Sequence, residues 1–539
     1  MKTNIKKIFT GIFCASFCTT ALLSTSSCIE ETFPTSNMTE EQISTSPSAV
    51  KSLLWAIPAF VNNHPTIGSS YHWDWGYGSI MHARDVMTAD MSVIASGYDW
   101  YSNWASNSYQ GEDYVYSQFF WNYYYKFIQT HNNLIFAVNP ETASEQVLGM
   151  LGAAKAYRAL AYLDMAQMYE FLPNDKTDTI NAAGNNVLHL TVPIVREGMN
   201  ESQSRSNPRV SREKMVEFIL EDLNSAEESI VYLEETSKTL PHLDVVYGLK
   251  ARLYMWIGDY ENAKHYARLA IDNSTGKIMD ENDCLDTRTG FNQISKWMLG
   301  SQLVTEDATV KTGIINWASW MCNEAEYGYA AAQPVTMIST SMYNRMSNTD
   351  FRKKMFKAPA NHELSGTQTY INPAFANTLP AYTAIKFRPN EGNNEEYSIG
   401  SATAYPLMRV EEMYFIEAEA AEHLSAGAGK KLLSEFMLAY RDPEYKFPED
   451  MDAIDEIVFQ KRVELWGEGL TFFDVKRLNM PVVRGYAGTN FDEKRRFNTA
   501  GRPAWMNICI VRNEKRQNAA LIDYENPDPS DLYIPWTEE

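Results

Sequence analysis

Cysteine is scarce in this 539-residue chain, which contains only six. Three of them lie within the first 28 residues, and the body keeps the other three, Cys284, Cys322 and Cys509. Such widely spaced cysteines can form at most one disulfide, and their spacing does not decide which pair would form it. Because no C-x-x-C pair occurs either, the sequence gives no support to a structural zinc site of that type.

Positive charge is also in short supply, since 47 Lys and Arg residues face 68 Asp and Glu residues and the net charge is −21. Removal of an N-terminal segment with the three positive charges of Lys2, Lys6 and Lys7 would leave −24. Proteins bind nucleic-acid backbones and other acidic polymers mainly through Lys and Arg. The charge balance therefore argues against a nucleic acid or another polyanion as the partner.

Several catalytic signatures are missing as well. The sequence has no H-E-x-x-H, no G-x-S-x-G and no phosphate-binding loop, which argues against metalloproteases, α/β-hydrolases and nucleotide hydrolases. The acidic stretch DENDCLD at 280–286 lacks the glycine and the spacing of an EF-hand, so calcium binding is unsupported. A glycoside hydrolase stays open at this point, because it needs only two carboxylates roughly 5–10 Å apart. No cofactor or metal ion is expected.

The N-terminal apolar stretch is too short and too interrupted to cross a membrane. Basic residues precede an apolar stretch over residues 8–23, and Thr10, Ser16 and Thr19 interrupt it. A membrane-spanning helix needs roughly 20 predominantly apolar residues. A basic start followed by a short apolar stretch is typical of a secretory signal peptide. We therefore predict that residues 1–27 are a cleaved signal peptide.

Cys28 follows the small residues Ser26 and Ser27, as in a bacterial lipoprotein signal, although Thr25 stands where such signals more often carry leucine. Cleavage before Cys28 would expose its thiol for acylation, and several acyl chains hold a protein stably on a bilayer. The alternative is ordinary signal cleavage beside an incidental cysteine. Residues 28–48 are rich in Ser, Thr, Glu and Pro, which predicts a flexible tether ahead of a body over 49–539.

Helical periodicity dominates the first half of the body. In the segment 211–230, residues at spacings of three and four form one apolar stripe, which predicts an amphipathic helix; they are Met215, Phe218, Ile219, Leu223, Ala226 and Ile230. The alanine-rich segment 147–169 is predicted to be a central helix that approaches its neighbours on more than one face. Over 245–271, Gly258 and Asp259 separate two helical patterns, which resembles one tetratricopeptide repeat. Since such a hairpin cannot bury its apolar face alone, other hairpins are expected beside it within 49–275.

The pattern changes over residues 276–404, where Gly, Pro, Asn and Thr with scattered aromatics predict long irregular loops. Loops of this length in a compact body usually carry function. Helical patterns return over 405–539. The predicted fold class is therefore mainly α, with tetratricopeptide-like helical hairpins packed against a loop-rich irregular region.

Three C-terminal segments, YPLMRVEEMYFIEAEAAEHL, IDEIVFQKRVELWGEGLTFFDVKRLN and LYIPWTEE, carry a family resemblance. In this order, after degenerate hairpins and a lipoprotein signal, they resemble the SusD/RagB family of outer-membrane nutrient-binding lipoproteins, with an α–α superhelical fold, over nearly the whole chain. The middle segment is the most telling part, and its matching positions are Glu464, Leu465, Glu468, Gly469, Asp474, Lys476 and Arg477. Gln460 and Thr471 depart from the Glu and Arg that are more frequent in the family, so part of the family's ion-pair network is expected to differ.

We expect the charges of this motif to be structural. Glu464 and Glu468 lie four residues apart, on one helical face if the helix runs that far. Arg462 and Arg477 are expected to pair with carboxylates where the chain turns after the helix. The same interpretation applies to the segment 80–91, with the expected ion-pair partners Arg84, Asp85 and Asp90.

The resemblance implies a lipid-anchored protein exposed on the surface of the outer membrane. In that family the protein captures a glycan, or in some members a peptide, and passes it without catalysis to a SusC-like TonB-dependent β-barrel transporter. The resemblance further implies that the repeat hairpins face the transporter. A repeat scaffold that binds another protein is the remaining alternative.

A binding site for sugars needs exposed aromatic rings with short polar neighbours, because a sugar lays its C–H face on Trp or Tyr and offers hydroxyls at its edge. Aromatic residues make up 13% of the chain and are dense in YHWDWGYG at 71–78 and YDWYSNWASNSY at 98–109. The candidate ligand-binding residues there are Trp73, Trp75, Tyr77, Asp99, Trp100, Tyr101, Asn103 and Trp104, with Asp74 as a further polar partner. Trp317 and Trp320 are added from the irregular region.

The alternative is that each of these aromatics belongs to the core, since large aromatic residues are highly buried on average. Trp100 and Trp104 are expected to be exposed, because they lie four apart in a segment that has none of the aliphatic residues of a buried helix.

Overall fold

The computed structural model describes residues 46–68, 71–332 and 334–538. The predicted signal peptide, the predicted lipidation site Cys28 and nearly all of the tether lie outside the described residues. The described part is mainly helical, which confirms the predicted fold class. The α-helices, α1 to α21 in chain order, are Pro47–Val61, Tyr77–Val86, Ser102–Ala105, Val115–Ala137, Glu145–Tyr169, Glu201–Ser204, Arg212–Ser229, Leu243–Ile257, Tyr260–Asp272, Glu281–Leu285, Ala308–Lys311, Trp317–Met321, Gly328–Ala331, Thr340–Arg345, Pro373–Ala376, Tyr397–Gly400, Val410–Leu424, Ala428–Tyr440, Ala453–Glu464, Thr471–Arg477 and Arg512–Gln517.

Short 3₁₀ turns and four short strands complete the secondary structure of the described residues. The 3₁₀ turns are Ile230–Tyr232, Ile294–Lys296, Phe351–Met355, Asn390–Gly392, Glu493–Arg495, Ala504–Met506 and Ala519–Leu521. The strands, β1 to β4, are Met91–Val93, Leu299–Gln302, Thr336–Ile338 and Ala404–Met408. They form two antiparallel pairs, in which Met91 of β1 faces Ile338 of β3, and Leu299 of β2 faces Met408 of β4.

The predicted hairpin over 245–271 is present as α8 and α9. Helix α8 ends at Gly258, whose φ of 74° lies in the left-handed region that favours glycine. Asp259 then caps α9, because its carboxylate accepts a hydrogen bond of 3.1 Å from the amide of Asn262. Two adjacent residues therefore end one helix and begin the next, as the sequence predicts.

Helix α5 lies at the centre of the helical half and is buried on almost every side. It packs against α4, α7 and α8. Gly149 allows a close approach to the turn that follows α7, since a Cβ there would lie 2.4 Å from the backbone nitrogen of Leu233. Helix α7 buries its predicted stripe against this centre, and Ser211 caps its start. The hairpin α8–α9 continues into α17 and α18, so stacked helices run from the N-terminal half into the C-terminal part.

Residues 276–404 contain only short elements, and the longest helix there, Thr340–Arg345, has six residues. At the N-terminal end, α1 begins at Pro47, two residues before the predicted start of the body at residue 49, because Ser46 caps the helix. Cys284, Cys322 and Cys509 are buried and free of disulfide bonds. Within the described ranges, no helix combines the length and the apolar character needed to cross a membrane.

A buried ionic cluster joins the C-terminal helices to the irregular region. Arg409, at the end of β4, donates to Glu464 at 3.0 Å and to Glu468 at 2.9 Å. Arg441 reaches Glu464 from α18 at 2.7 Å, and Lys386 reaches Glu468 from the irregular region at 2.7 Å. Burial on its own would raise the pKa of Glu464, but Arg441 and Arg409 hold that pKa well below its usual range.

The family motif is thus structural, as predicted, although two details differ from the expectation. Helix α19 ends at Glu464, so Glu468 lies beyond the helix and meets Arg409 because the chain turns back there. Arg462 pairs with Asp90 rather than with a carboxylate of the turn. Arg477 pairs with Asp474 at 2.8 Å.

The departure at Gln460 keeps a polar link, because Gln460 accepts a hydrogen bond from Arg352 and donates one of 2.8 Å to Glu456. The residues of the segment 80–91 are structural, as expected, although Asp85 accepts a backbone hydrogen bond instead of forming the predicted ion pair. Arg84 pairs with Asp164 at 2.8 Å, and Asp85 accepts a hydrogen bond of 3.0 Å from the amide of Gly469.

Substitution of Glu464 tests this cluster. The change Glu464→Gln keeps the volume but removes a buried counter-charge that Arg352, Arg409 and Arg441 share, so the free energy of unfolding should fall by about 3–5 kcal/mol. Glu435→Gln is the matched control, because Glu435 is an exposed helical glutamate that lies 3.8 Å from Lys431. It should change the free energy by less than about 0.5 kcal/mol. Urea unfolding measures both values, and equal effects would contradict a structural role for the cluster.

Candidate functional site

Most of the aromatic residues predicted to bind a ligand are buried. Their side chains are at most 4% exposed, which leaves no ring face for a ligand; they are Trp73, Trp75, Tyr77, Tyr101, Trp104, Trp317 and Trp320. The expectation that Trp104 is exposed is therefore wrong. Of the predicted aromatic residues in the described structure, Trp100 alone is well exposed, at 40%.

The buried rings form an internal aromatic layer, which explains the difference from the prediction. Trp73 meets Trp104 edge to face at a centroid distance of 5.4 Å, and Trp104 also packs against Phe120 of α4 at 5.5 Å. Trp104 can thus be buried in a segment without aliphatic residues, because aromatic neighbours from other elements fill the space around it. The short helix α3 of this segment turns Trp104 inward and leaves Trp100 outside.

The two tryptophans of α12 join the same interior. Trp317 stacks on Tyr405 at 4.6 Å, and Trp320 meets Tyr101 edge to face at 4.9 Å. Trp320 also stacks on Tyr329 at 4.1 Å. Trp317 and Trp320 therefore support the surface from inside the protein. They do not form the exposed stacking platform that the sequence predicts.

The predicted polar partners are also engaged within the protein. Asp99 is 8% exposed and pairs with Arg495; its pKa is raised by burial, against the opposing effect of Arg495. Asp74 is fully buried and accepts backbone hydrogen bonds from Thr66 at 2.8 Å and from Ile67 at 2.6 Å. Asn103 is partly exposed, and its amide donates to the hydroxyl of Tyr116.

Above the buried layer lies a surface aromatic cluster formed by His72, Tyr98, Trp100 and Tyr329. Tyr98 is 57% exposed and Trp100 is 40% exposed. The ring of His72 lies 4.9 Å from that of Trp100 and 5.8 Å from that of Tyr329. Trp320 supports Tyr329 from below. The four residues thus present two open rings on a base that the core holds in place.

Hydrogen bonding and burial fix the base of this cluster in an uncharged state. His72 Nδ1 shares a hydrogen bond with the hydroxyl of Tyr329. Burial, followed by the nearby His64, lowers the pKa of His72, so the imidazole is neutral at pH 7. Burial raises the pKa of Tyr329 to about 12, and Tyr98 acts in the same direction. A neutral aromatic surface with a few polar atoms suits an uncharged polyhydroxyl ligand.

Sequence reasoning missed three of the four residues. His72 and Tyr98 lie inside the two aromatic stretches, but the prediction gave preference to the tryptophans there. Tyr329 had no local signal, because it reaches His72 across 257 positions of sequence. In the part of the chain that the structure describes, no group of three or more His, Cys, Asp or Glu side chains is arranged to hold a metal ion.

Two family models match the chain. The model described as the SusD family matches residues 252–532, just over half of the sequence. The chain belongs to the SusD family. A model described as starch-binding associating with outer membrane matches residues 74–255, a range that includes Tyr98 and Trp100. These matches confirm the resemblance found in the C-terminal motif. No curated protein matches the chain.

Solved structures share the fold of this SusD-family protein. A SusD-like carbohydrate binding protein from Bacteroides vulgatus has 20% sequence identity and a TM-score of 0.67, with 89% of this chain and 98% of that chain covered. A putative sugar binding protein from the same species has 19% identity and a TM-score of 0.66 over the same shares. A laminarin binding SusD-like protein has 16% identity and a TM-score of 0.60, with 89% and 99% covered.

The different positions of Trp100 and Trp104 predict losses of stability of different size. Trp104→Ala should lower the free energy of unfolding by about 3–5 kcal/mol, because it leaves a cavity in the aromatic layer. Trp100→Ala should lower it by less than about 1 kcal/mol, because the ring is largely open to solvent. Chemical unfolding of the two variants measures the difference. A destabilisation by Trp100→Ala as large as that of Trp104→Ala would contradict the assignment of Trp100 to the surface.

Proposed function

We propose that this protein captures an oligosaccharide or polysaccharide at the surface of the outer membrane and delivers it to a TonB-dependent transporter without altering its bonds. The surface aromatic cluster carries the proposal. Tyr98 and Trp100 hold their rings open to solvent within one cluster, and clustered exposed aromatic residues are typical of a ligand-binding surface. The sugar lies with its C–H face on these rings.

The state of the nearby carboxylates supports binding without catalysis. Glycoside hydrolysis needs two carboxylates roughly 5–10 Å apart that are free to act on the substrate. The carboxylates of the two aromatic segments are not free, since Asp74 holds the 66–68 turn and Asp99 pairs with Arg495. The aromatic rings therefore lie beside structural carboxylates, which favours a binding protein over a hydrolase.

The comparisons support the class of ligand. One matched family model is described as starch-binding, and similar structures include a carbohydrate binding protein and a laminarin binding protein. Starch and laminarin are uncharged polymers, which fits the neutral surface aromatic cluster. A glycan is therefore the favoured ligand over the peptide that some members of the family bind.

Loss of the open rings should weaken glycan binding without unfolding the protein. Tyr98→Ala and Trp100→Ala should each lower the affinity for a bound polysaccharide by about tenfold or more, which corresponds to about 1.4 kcal/mol of lost stacking. Tyr232→Ala is the control, because Tyr232 is also 40% exposed but lies after α7. Affinity electrophoresis in gels that contain starch or laminarin, followed by calorimetry, measures the change.

Two outcomes of this experiment contradict the proposal. If both variants bind the polysaccharide as the wild type does, the surface aromatic cluster is not the binding site. A steady release of new reducing ends during incubation of the wild-type protein with the bound polysaccharide would show that the protein is a hydrolase and not only a binding protein.

We further propose that lipid on Cys28 anchors the protein and that the stacked hairpins face the transporter, because stacked helices offer an extended rigid surface. The substitution Cys28→Ser should move the protein from the membrane fraction to the soluble fraction, since the acyl chains provide the attachment. Cys509→Ser is the control, because Cys509 lies buried in the body. Retention of the Cys28→Ser variant in the membrane would contradict the lipid anchor.

The contact with the transporter has a separate test. Purification of the wild-type protein from mild detergent without any β-barrel companion would contradict that contact.

A further inference from the structure

A second pair of exposed aromatic rings lies beside a cavity that the proposed site does not include. Tyr109 is 50% exposed and Tyr114 is 38% exposed, and their rings meet at a centroid distance of 5.0 Å. Tyr114 lines a cavity of about 360 Å³. Its other walls come from residues 112–113, from residues 181–182 and from the C-terminal part of the chain, chiefly Arg512 and Asp528. This volume is large enough for a sugar unit.

The C-terminal segment fixes the position of Tyr109. The side chain of Asn107 donates to the carbonyl of Pro529 at 2.8 Å, and the amide of Asp531 donates to the carbonyl of Asn107 at 2.9 Å. The amide of Gln110 donates to Ser530 at 2.7 Å. Tyr109 itself has a φ of 60°, in the left-handed region that a tyrosine rarely adopts. The protein therefore holds an exposed ring rigidly in a costly conformation.

This pair adjoins the internal aromatic layer that lies beneath the surface aromatic cluster. Tyr116, two residues after Tyr114, meets Trp104 at a centroid distance of 4.9 Å and Trp73 at 5.6 Å. The amide of Asn103, three residues after Trp100, donates to the hydroxyl of Tyr116. Only nine positions of sequence separate Trp100 from Tyr109, and α3 shortens the span between them. A chain of several sugars that lies on Trp100 is therefore long enough to reach Tyr109.

The charges around the cavity narrow the class of ligand. Four carboxylates surround it, and two cations oppose them, so two negative charges remain in excess. The carboxylates are Glu112, Asp113, Glu525 and Asp528. The cations are already engaged, because Arg512 pairs with Glu112 at 2.6 Å and with Asp113 at 2.7 Å, and Lys515 pairs with Glu112. Carboxylates accept hydrogen bonds from hydroxyl and ammonium groups, whereas they repel anions.

We propose that Tyr109, Tyr114 and this cavity form a second saccharide subsite, which takes further neutral or amino-sugar units of a chain bound on the surface aromatic cluster and rejects anionic units. The proposal rests on the proposed function, since it extends the same glycan. The affinity of the protein should then increase with the length of the oligosaccharide, because only a chain that spans both aromatic pairs gains the second contact.

An oligosaccharide array tests this inference on the full-length protein in detergent. The array holds neutral oligosaccharides of starch and laminarin, amino-sugar oligomers and uronic-acid oligomers, each graded from two to about ten units. The test variant is Tyr109→Asn with Tyr114→Ala, because asparagine tolerates the left-handed conformation at position 109. Trp100→Ala reports on the main site, and Tyr232→Ala is the matched control for loss of an exposed tyrosine.

We expect the double variant to lose about tenfold or more in affinity for the longest bound oligosaccharides and to keep the wild-type affinity for the shortest. Trp100→Ala should weaken both. As a second readout, Asp528→Asn should reduce the discrimination against uronic-acid oligomers, because it removes one carboxylate that has no cationic partner among the described residues.

The failure of this inference is distinct from the failure of the proposed function. If the double variant binds long oligosaccharides as the wild type does, the second subsite is overturned while the main site stands. If the wild type binds no oligosaccharide, or if Trp100→Ala has no effect on any bound one, the proposed function is overturned, and the subsite that extends it falls with it.

Discussion

The packing of Trp73 against Trp104 is the contact on which the candidate site depends. It joins two loops that have no regular pairing with each other, and both rings also reach Phe119 of α4, at 5.0 Å from Trp73 and 6.2 Å from Trp104. Aromatic pairs of this kind each contribute about 0.5–1.5 kcal/mol beyond the burial of their area. The contact fixes Trp104 inside, and the chain immediately before α3 leaves Trp100 exposed. The exposed rings are thus positioned by buried ones rather than by a strand or a long helix.

The ionic cluster around Arg409 holds the irregular region in position, as the aromatic layer holds the candidate site. Residues 276–404 have few backbone ladders, so their side chains must hold them to the helices. Lys386 does so through Glu468 and the carbonyl of Trp466, whereas Arg388 joins two parts of the region itself through Glu324 at 2.6 Å. Buried pairs gain little net stability over apolar residues, but they penalise any arrangement that leaves one charge alone. That penalty gives a loop-rich segment a single arrangement.

The sequence was informative wherever the cause of a structure is local. Gly258 and Asp259 predicted the break between two helices, and the stripe from Met215 to Ala226 predicted the buried face of α7, because both depend on residues a few positions apart. The motif around Glu464 predicted the family and a structural role, although not the partner Arg409, which lies 55 positions away.

The site was predictable only in part, because exposure depends on contacts between distant segments. Trp100 and Trp104 look alike in the sequence, yet one is open and the other is covered by α4. Tyr329 enters the cluster only because α12 places Trp320 beneath it. Tryptophan is a good marker of an aromatic-rich region, but tyrosine and histidine supplied most of the surface here. Contacts between distant segments, and not the local sequence, decide which aromatic rings face outward.

The most direct measurement of the central claim is a crystal structure of the protein with an oligosaccharide bound. We expect a sugar ring to lie flat against Trp100 or Tyr98, with every glycosidic bond of the ligand intact. A sugar held elsewhere on the molecule, with both of these rings still open to solvent, would contradict it.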